Sequence, residues 1–519
     1  MGQNDMVSNV SRIRWWKYRF VLIALFLLNV FLIHHFFFDG SNVNPFRDTP
    51  PTDKQVPSPE APTPPTPPSS PSLQGPPTKD THPEQPKGPV KPSAPAPPSA
   101  PSPAPAPSQA LALTPPAPSP ETFTFNLNDY DFYGDYVGWP LERVCKETPR
   151  TEGLIFICDN NTGGIGNIRN FILTCVRYAI HVGASGITMP VIQIRDENNL
   201  GELFTAKTEP LSYFFDEDHF RTAMSSSCPQ LKVYDTLKDI PNHDNITKVE
   251  EFVPKELGGV DGTDGRGTNR HLDVFRPNFN KWIAETKHTP TATAPITIRF
   301  RWATFFEWPI FLDGSELAAT FGDLLRINKE AEALAHKTLL AMSRFVGVEP
   351  QSENPKTLDA PFMGIHLRTE SDALGYWPDY KEQSTGYLKE AADRGFKHAF
   401  LACGNATEKK RFADEAWENM KLNVTSKLDL LKGEDLERLQ ALTWDQQALV
   451  DFLVLLKSRH FAGCSFSSFA MNISLKRHLV TGGLRTRPWQ SPSDGYSTLV
   501  GRFKSWWGDW MYMLECMWP

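Results

Sequence analysis

An uncharged apolar run near the start of the chain constrains its folding more than any other feature. The run extends from Phe20 to Phe38 and reads FVLIALFLLNVFLIHHFFF. At about 1.5 Å per residue in a helix, it nearly crosses a hydrocarbon layer of about 30 Å. The run is longer than the apolar region of a typical signal peptide, and no small-residue cleavage site follows it. We therefore predict that residues 20–38 form a retained transmembrane signal anchor.

The charges on either side of this run predict its orientation in the membrane. Positive charges precede the run and Asp39 follows it. Because positively charged flanks stay on the cytosolic side, residues 1–19 form a cytosolic tail and the rest of the chain is lumenal. The short span suits the thinner membranes of the early secretory pathway, so we expect a single-pass type II protein of the Golgi or ER membrane. The preceding positive residues are Arg12, Arg14, Lys17 and Arg19.

Proline dominates the segment after the anchor. Residues 41–120 contain 28 of the 46 prolines and Phe46 as their only aromatic residue, so this segment cannot bury a core. Lumenal sequence of this composition forms an extended spacer, and its Ser and Thr residues can carry O-glycans. We therefore predict a disordered Pro-rich stem over residues 39–120.

Charge and cysteine usage exclude several classes of function. The net charge is −7, and no cluster of Lys and Arg occurs beyond the N-terminus, so we expect no nucleic-acid partner. All seven cysteines are lumenal, which allows up to three disulfides with the pairing left open. They show no zinc-ligand spacing. Five N-glycosylation sequons occur, at Asn160, Asn245, Asn405, Asn423 and Asn472.

The remaining chain predicts two α/β halves. In the first half, the apolar strand LIFIC (Leu154 to Cys158) precedes a Gly-rich turn, a helix-patterned segment and a second apolar run, ITMPVIQIR, from Ile187. This order is a βαβ unit, which implies a parallel sheet covered by helices. We predict two Rossmann-like domains, over residues 121–350 and 351–519, facing each other across a cleft.

The second half repeats the alternation of strands and helices. Its predicted strands are FMGIHLR (Phe362 to Arg368), KHAFLACG and HFAGC, and its predicted helices lie around Tyr387 to Arg394, Glu408 to Met420 and Trp444 to Ser458. A long helical pattern from Glu316 to Phe345 lies between the halves.

Three short motifs follow apolar strands and could carry chemistry. The first is the turn Gly163-Gly164-Ile165-Gly166-Asn167, where glycines let a ligand approach backbone amides at the start of a helix. The spacing is not that of a dinucleotide-binding motif, and a tight turn that needs positive φ also explains the glycines.

The second motif, His366-Leu367-Arg368, ends a predicted strand. Ligands of open α/β sheets bind beyond the carboxyl ends of strands, and an arginine there can bind two phosphate oxygens at once. The alternative interpretation is a surface ion pair between Arg368 and Glu370 or Asp372.

The third motif, Ser467-Ser468-Phe469, lies between the strand HFAGC and the helix AMNISLKRHL. Hydroxyls and amides at a helix N-terminus can bind a diphosphate without a metal. The alternative is that Ser467 only caps the helix.

A competing signal is the segment YFFDED. Asp216 and Asp218 could form the D-x-D motif that holds a divalent cation in a different class of glycosyltransferase. The continuation DEDHFRTAM, however, is typical of the acidic first turn of a helix.

In this order the three motifs resemble the GDP-fucose protein O-fucosyltransferases and their plant and fungal relatives. The segment from TGGIGNIRNFILTCVRYA through FDEDHF and SCPQ to IHLRTESDA is most similar to the fungal membrane-anchored branch. The resemblance covers roughly residues 150–480. It implies a GT-B fold, GDP-fucose as donor, inversion at the sugar, a protein or glycan acceptor and no required metal or other cofactor.

The resemblance also implies roles for individual residues. Arg368 would contact the diphosphate and stabilise its departure, and His366 would help hold the nucleotide. Asn167 would face both donor and acceptor. The remaining nucleotide-sugar contacts would come from Gly163, Gly164, Gly166, Ser467, Ser468, Phe469 and the guanine-binding Asp451.

Some positions depart from the family pattern. Ala402-Cys403-Gly404-Asn405 stands where relatives often have an acidic residue. The Gly-rich turn offers no carboxylate as general base; Glu370 and Asp372 are candidates, and the leaving phosphate is another. Asn472 falls inside the predicted phosphate-binding helix, so we predict that its sequon is unused.

The sequence thus predicts a type II membrane glycosyltransferase that transfers fucose from GDP-fucose. Two alternatives stay open. One is a metal-dependent transferase of another nucleotide sugar that uses Asp216 and Asp218. The other is an inactive lumenal glycan-binding or scaffold protein, whose function would survive the loss of Arg368. The oligomeric state is not predicted.

Overall fold

The computed structural model describes most of the chain after residue 131. The predicted cytosolic tail, anchor and Pro-rich stem (residues 1–120) lie outside the described residues and stay predictions. No helix within the described part of the chain is long and apolar enough to cross a membrane. The described ranges are 125–126, 132–196, 199–205, 207–259, 272–287, 289–301, 304, 306–348, 350–351, 360–373, 375, 377–465, 467–482, 494–501 and 515–519.

The first half alternates strands and helices around one parallel sheet. Its elements, in chain order, are β1 (Phe125–Asn126), α1 (Trp139–Glu147), β2 (Thr151–Ile157), α2 (Ile165–His181), β3 (Ala184–Thr188), β4 (Val191–Gln193), β5 (Thr208–Pro210), α3 (Glu217–Ser227), β6 (Lys232–Tyr234), β7 (Val249–Phe252), α4 (Leu272–Thr286), β8 (Ile296–Phe300), α5 (Ser315–Thr320) and α6 (Lys329–Phe345). The sheet has the order β6-β3-β2-β8-β7.

The second half has the same kind of architecture. Its elements are β9 (Pro350–Gln351), β10 (Ala360–His366), α7 (Tyr380–Asp393), β11 (His398–Ala402), α8 (Ala406–Met420), β12 (Asn423–Thr425), α9 (Lys427–Leu430), α10 (Gly433–Ala441), α11 (Trp444–Leu456), β13 (Ser458–Cys464), α12 (Ser468–Gly482) and β14 (Ser497–Val500). Its sheet has the order β12-β11-β10-β13-β14, and every pairing in both sheets is parallel. The predicted α/β class with parallel sheets is confirmed.

Burial on both faces explains why the central strands read as nearly continuous apolar runs. In β2 the five residues from Gly153 to Ile157 are all buried, as helices on both sides of a parallel sheet require. Successive side chains of β10 point to opposite faces of its sheet, so Phe362 joins one hydrophobic cluster while Met363 and Ile365 join another.

The larger hydrophobic cluster runs from the first sheet into the second half. It includes Phe156 and Phe300 of the first sheet, Leu334 of α6, Leu453 of α11 and Ile473 of α12. Helix α6 follows the first sheet in sequence but packs against α11. The two halves therefore share a core, and the predicted boundary between residues 350 and 351 stays a prediction.

Two sequence-based element assignments were wrong in detail. The run ITMPVIQIR divides into β3 and β4, since Pro190 lacks the amide that a continuous ladder needs. The helical pattern from Glu316 to Phe345 is interrupted between Thr320 and Lys329. There the chain runs alongside another segment, with the Asn328 amide donating to the carbonyl of Phe214 at 3.0 Å.

Two disulfides join elements of the first half. Cys145 on α1 pairs with Cys228 after α3, and Cys158 after β2 pairs with Cys175 on α2. The second bridge joins the end of β2 to the middle of α2, and the Gly-rich turn lies in the loop that it closes. Cys403, Cys464 and Cys516 stay thiols.

Removing the charge of Asp313 should destabilise the first half strongly. Arg177 of α2 donates to Asp313 Oδ1 at 3.0 and 2.6 Å, and the Trp308 indole donates to Oδ2 at 2.8 Å. All three side chains are buried. Asp313→Asn leaves the Arg177 charge uncompensated, which costs about 3–5 kcal/mol in comparable buried pairs. Urea unfolding followed by tryptophan fluorescence measures the effect.

The control is Asp414→Asn, because Asp414 pairs with Lys410 at 2.6 Å on an exposed helix surface. This variant should change the free energy of unfolding by less than about 1 kcal/mol. Equal losses in the two variants would contradict a structural role for the Arg177–Asp313 pair.

Candidate active site

The second and third motifs follow neighbouring strands of the second sheet. β10 ends at His366, which lies opposite Gly463 of β13 and Ala402 of β11 in parallel register. The HLR segment and the segment that leads into Ser467 therefore leave the sheet side by side, at its carboxyl edge. This is the edge at which open α/β sheets bind ligands.

Arg368 is held in place by buried partners. Its guanidinium donates to Glu370 through Nη1 and to Asp372 Oδ2 through Nη2, the latter at 2.7 Å. The Gln383 side chain accepts from the Arg368 amide at 2.9 Å and donates to its carbonyl at 2.7 Å. The ion pairs of the alternative interpretation are therefore present with both carboxylates, but the Arg368 side chain is only 14% exposed and the pairs do not lie on an open surface.

Electrostatics keep this arginine fully charged. Burial by itself lowers the pKa of a guanidinium, but Glu370 and Asp372 outweigh burial and raise the pKa of Arg368 above its ordinary value. Arg368 is therefore a fixed cation after the end of β10, and its Nη1 and Nη2 atoms already have anionic partners.

Glu370 supports the arginine rather than acting as a free base. Its Oε1 accepts from the Gly404 amide at 2.9 Å, and its Oε2 accepts from Arg368 and from the Thr369 amide. Burial raises the pKa of Glu370, but Arg368 outweighs burial and the pKa falls below its ordinary value. The departure from the family pattern around Gly404 thus has a structural use, because this segment holds Glu370.

His366 is a buried neutral ring. Burial lowers its pKa to about 4, against a smaller opposing effect of Glu370. The ring lies 4.6 Å from that of Phe469, measured between centroids. Its Nδ1 is buried and has no hydrogen-bond partner within the described part of the chain. A buried polar atom without a partner is costly, so this Nδ1 is suited to a partner that these residues do not supply.

The third motif begins a helix, as predicted. α12 starts at Ser468, and the Ser467 carbonyl accepts from the Met471 amide at 2.8 Å. Ser467 is buried, and Phe469 lies between His366 and Phe452. The helix N-terminus, with its free amides and partial positive charge, therefore adjoins the His366 ring.

The Gly-rich turn of the first half meets the third motif directly. A Cβ placed on Gly166 would lie 2.6 Å from the carbonyl carbon of Ser468 and 2.7 Å from its Oγ. Gly163 has φ +108°, which only glycine adopts without strain. Gly164 is the N-cap of α2, with no side chain bonded to the helix end, and Asn167 is half-buried in the first turn. The turn therefore places the N-termini of α2 and α12 beside each other.

Asp451 lies on α11, one residue before the Phe452 that contacts Phe469. Lys427 donates to its Oδ2 at 2.5 Å, and its Oδ1 is buried without a hydrogen-bond partner among the residues that the structure describes. Burial raises the pKa of Asp451, against the opposing effect of Lys427. The buried Oδ1 therefore needs a hydrogen-bond donor that these residues do not supply.

Sequence reasoning missed several residues of this region. Gln383 and Gly404 hold Arg368 and Glu370, and Lys427 pairs with Asp451. Arg195 of the first half donates to Asp445 at 2.5 Å and lies 3.7 Å from Asp372. Only Arg195 had a usable signal, since it is the charged residue that ends the run ITMPVIQIR.

The acidic segment that could have held a cation forms a helix end. Asp216 is the N-cap of α3, and its Oδ1 accepts from the His219 amide at 3.0 Å. Asp218 lies in the first turn of that helix, as the alternative interpretation predicts. The described ranges contain no group of three or more His, Cys, Asp or Glu side chains placed to bind a metal ion.

A groove of about 840 Å³ lies elsewhere, between α7 and α8. Tyr380, Arg411 and Glu415 line it, and none of the three motifs contributes to it. The chemistry that the motifs offer therefore lies where two helix N-termini, His366 and Arg368 are brought to one edge of the second sheet.

Solved structures of fucosyltransferases match this chain at low sequence identity and with low TM-scores. POFUT1 in complex with GDP is 12% identical over 68% of this chain and 100% of its own, with a TM-score of 0.40. A variant of FUT1 from Arabidopsis thaliana with GDP is 10% identical over 65% of this chain and 71% of its own, with a TM-score of 0.31. NodZ from Bradyrhizobium is 14% identical over 63% of this chain and 92% of its own, with a TM-score of 0.32.

No curated protein sequence matches this chain. A family model does match it: the model of the GDP-fucose protein O-fucosyltransferases covers residues 154–480. That range contains all three motifs and Asp451, and it confirms the resemblance predicted from them. Because the match extends over more than half of the sequence, this chain belongs to the GDP-fucose protein O-fucosyltransferase family and is a glycosyltransferase.

Proposed function

We propose that this protein transfers fucose from GDP-fucose to a hydroxyl of a protein or glycan, with inversion at the sugar and without a metal. The observation that carries this proposal is the meeting of the Gly-rich turn with Ser468, which places two helix N-termini beside the carboxyl edge that bears Arg368. Amides, hydroxyls and one guanidinium offer a diphosphate what a divalent cation would otherwise supply.

The leaving group sets the main chemical demand. In an inverting transfer the acceptor oxygen bonds to the anomeric carbon as the bond from that carbon to the β-phosphate oxygen breaks. The electron pair stays on GDP, so negative charge grows on the diphosphate. Arg368 is charged and its backbone is held by Gln383, so its guanidinium is placed to stabilise this charge.

The guanine would be recognised at α11. Asp451 offers one carboxylate oxygen to N–H donors of the base, and the ammonium of Lys427 lies beside it. His366 offers its Nδ1 to a further atom of the nucleotide. We assign the acceptor side to the first half, with Asn167 facing both donor and acceptor.

The proton of the acceptor hydroxyl needs a base, but both candidate carboxylates are already paired with Arg368. Glu370 accepts three hydrogen bonds, and Asp372 pairs with Arg368 and Arg195. A leaving phosphate oxygen is therefore our preferred proton acceptor.

The proposal includes a type II membrane arrangement in the Golgi or ER. It is supported by the positive residues before the uncharged run 20–38 and by the Pro-rich composition of residues 41–120. A glycoprotein chain in the lumen is the kind of acceptor that this arrangement allows the site to reach.

Arg368→Ala should greatly weaken GDP binding. A charged hydrogen-bond donor contributes about 1.5–3 kcal/mol, so we expect a loss of roughly 10- to 100-fold, increased by the two carboxylates left without their arginine. Calorimetric titration of the full-length protein with GDP measures this, with and without EDTA. The matched control is Arg411→Ala, which removes an exposed arginine of the same half.

EDTA should leave wild-type GDP affinity unchanged. Binding that disappears in EDTA would favour the metal-dependent alternative. A folded protein that binds no guanine nucleotide would overturn the donor assignment and favour an inactive lumenal binder.

Gly166→Ala should separate the two helix N-termini. The added methyl would lie 2.6 Å from the backbone of Ser468, and a backbone atom cannot easily move away. Overpacking of this kind destabilises the fold by about 1–3 kcal/mol. We expect the free energy of GDP binding to weaken by a similar amount, because the site is displaced. Unfolding midpoints and GDP titrations test both effects.

Gly164→Ala is the control, because its φ of −74° suits any residue and a Cβ there would have no neighbour within 4 Å. This variant should change the unfolding midpoint little. If Gly166→Ala bound GDP as tightly as the wild type, the contact between the two motifs would not be needed for the site.

A further inference from the structure

Arg195 crosses from the first half into the acidic surroundings of Arg368. It follows β4, yet its guanidinium donates to Asp445 Oδ1 of α11 at 2.5 Å and lies 3.7 Å from Asp372 Oδ2. It also lies over the Trp444 ring, 5.5 Å from the centroid. Its side chain is only 6% exposed, so the charge is largely withdrawn from water.

Both arginines act on one oxygen of Asp372. Arg368 donates to Oδ2 at 2.7 Å, and the Arg195 Nη1 is the other cationic atom beside it. The Oδ1 atom is buried and has no hydrogen-bond partner within the described ranges. The charge of Asp372 is therefore compensated through Oδ2 by the two arginines together.

The charge balance around Arg368 makes this sharing important. Glu370 and Asp372 place two negative charges on Arg368, and Asp445 places a third beside Arg195, so the two arginines and three carboxylates carry a net charge of −1. Without Arg195 the net charge of this cluster is −2, and a diphosphate brought to it is repelled more strongly. Charges a few ångströms apart in such surroundings interact by several kcal/mol, so the compensation is large enough to affect binding.

We propose that Arg195 is a positioning residue for the donor diphosphate: it offsets part of the negative charge of Asp372, so that Arg368 can exchange part of its carboxylate contact for phosphate oxygens. This inference rests on the proposed function, because it concerns GDP binding at the same site. Arg195 acts through Asp372 and belongs to the half that would hold the acceptor.

A purely structural role makes a different prediction. Other contacts also join the two halves near Arg195, and we call this contact region the seam. One is a hydrogen bond of 2.7 Å between Tyr213 Oη and Thr443 Oγ1. The Gln446 side chain also donates to the Tyr213 carbonyl at 3.1 Å. If Arg195 only held the halves together, its loss would weaken every ligand alike.

The test compares the affinities of GDP and guanosine for the full-length protein, because only GDP carries the diphosphate. In Arg195→Gln we expect GDP to bind about 10-fold more weakly and guanosine to bind unchanged. Adding Asp372→Asn to that variant should restore most of the GDP affinity, since the uncompensated carboxylate is gone. Tyr213→Phe, the control for the seam, should leave the ratio of the two affinities at its wild-type value.

Asp445→Asn is a second variant, for which we expect GDP affinity to rise instead of fall. It releases Arg195 from its closest carboxylate and should strengthen GDP binding by about 3- to 10-fold without affecting guanosine. This variant retains the size of the side chain, so it tests the proposal even if Arg195→Gln does not fold.

The outcomes are distinguishable. Wild-type protein that binds no GDP would overturn the proposed function itself. If the wild type binds GDP but both Arg195→Gln and Asp445→Asn keep the wild-type ratio of GDP to guanosine affinity, Arg195 does not position the diphosphate. A double variant that binds GDP no better than Arg195→Gln would likewise overturn the proposal.

Discussion

The close approach of α2 to α12 is the constraint on which the rest of the site depends. Gly166 leaves no space for a side chain against Ser468, so the two helices meet through backbone. Polar contacts with a buried terminal segment reinforce this approach. Arg169 and Asn170 of α2 donate to carbonyls of Trp518 and Cys516, and Asn472 of α12 donates to the same Trp518 carbonyl. The burial of Asn472 also supports the prediction that its sequon is unused.

This contact determines what the two sheets can do together. Each sheet ends in a Gly- or Ser-containing turn that starts a helix, and one such N-terminus attracts an anion only modestly. Two of them side by side, near a charged arginine, attract an anion more strongly than one alone. The continuous core through α6, α11 and α12 keeps the halves in register, so the geometry does not depend on a ligand to assemble it.

The sequence predicted the parts of this site that follow from local pattern. Buried parallel strands read as apolar runs, so their carboxyl ends could be located, and His366, Arg368 and Ser467 were found there. The strand Ile296–Phe300 was missed because its run ITIRF is short and stands apart from any motif. Gln383 and Arg195 were missed because their roles depend on contacts between distant segments, which periodicity does not encode.

The charge distribution explains why the arginine needs so many supports. A buried guanidinium without carboxylates would be costly, whereas one saturated by carboxylates would bind a diphosphate poorly. In this chain Glu370 is satisfied by the Gly404 amide and Asp372 is shared with a second arginine. Each carboxylate therefore has a second partner besides Arg368 that offsets part of its negative charge. Residues far apart in sequence thus set the balance between keeping the cation buried and leaving it available for phosphate.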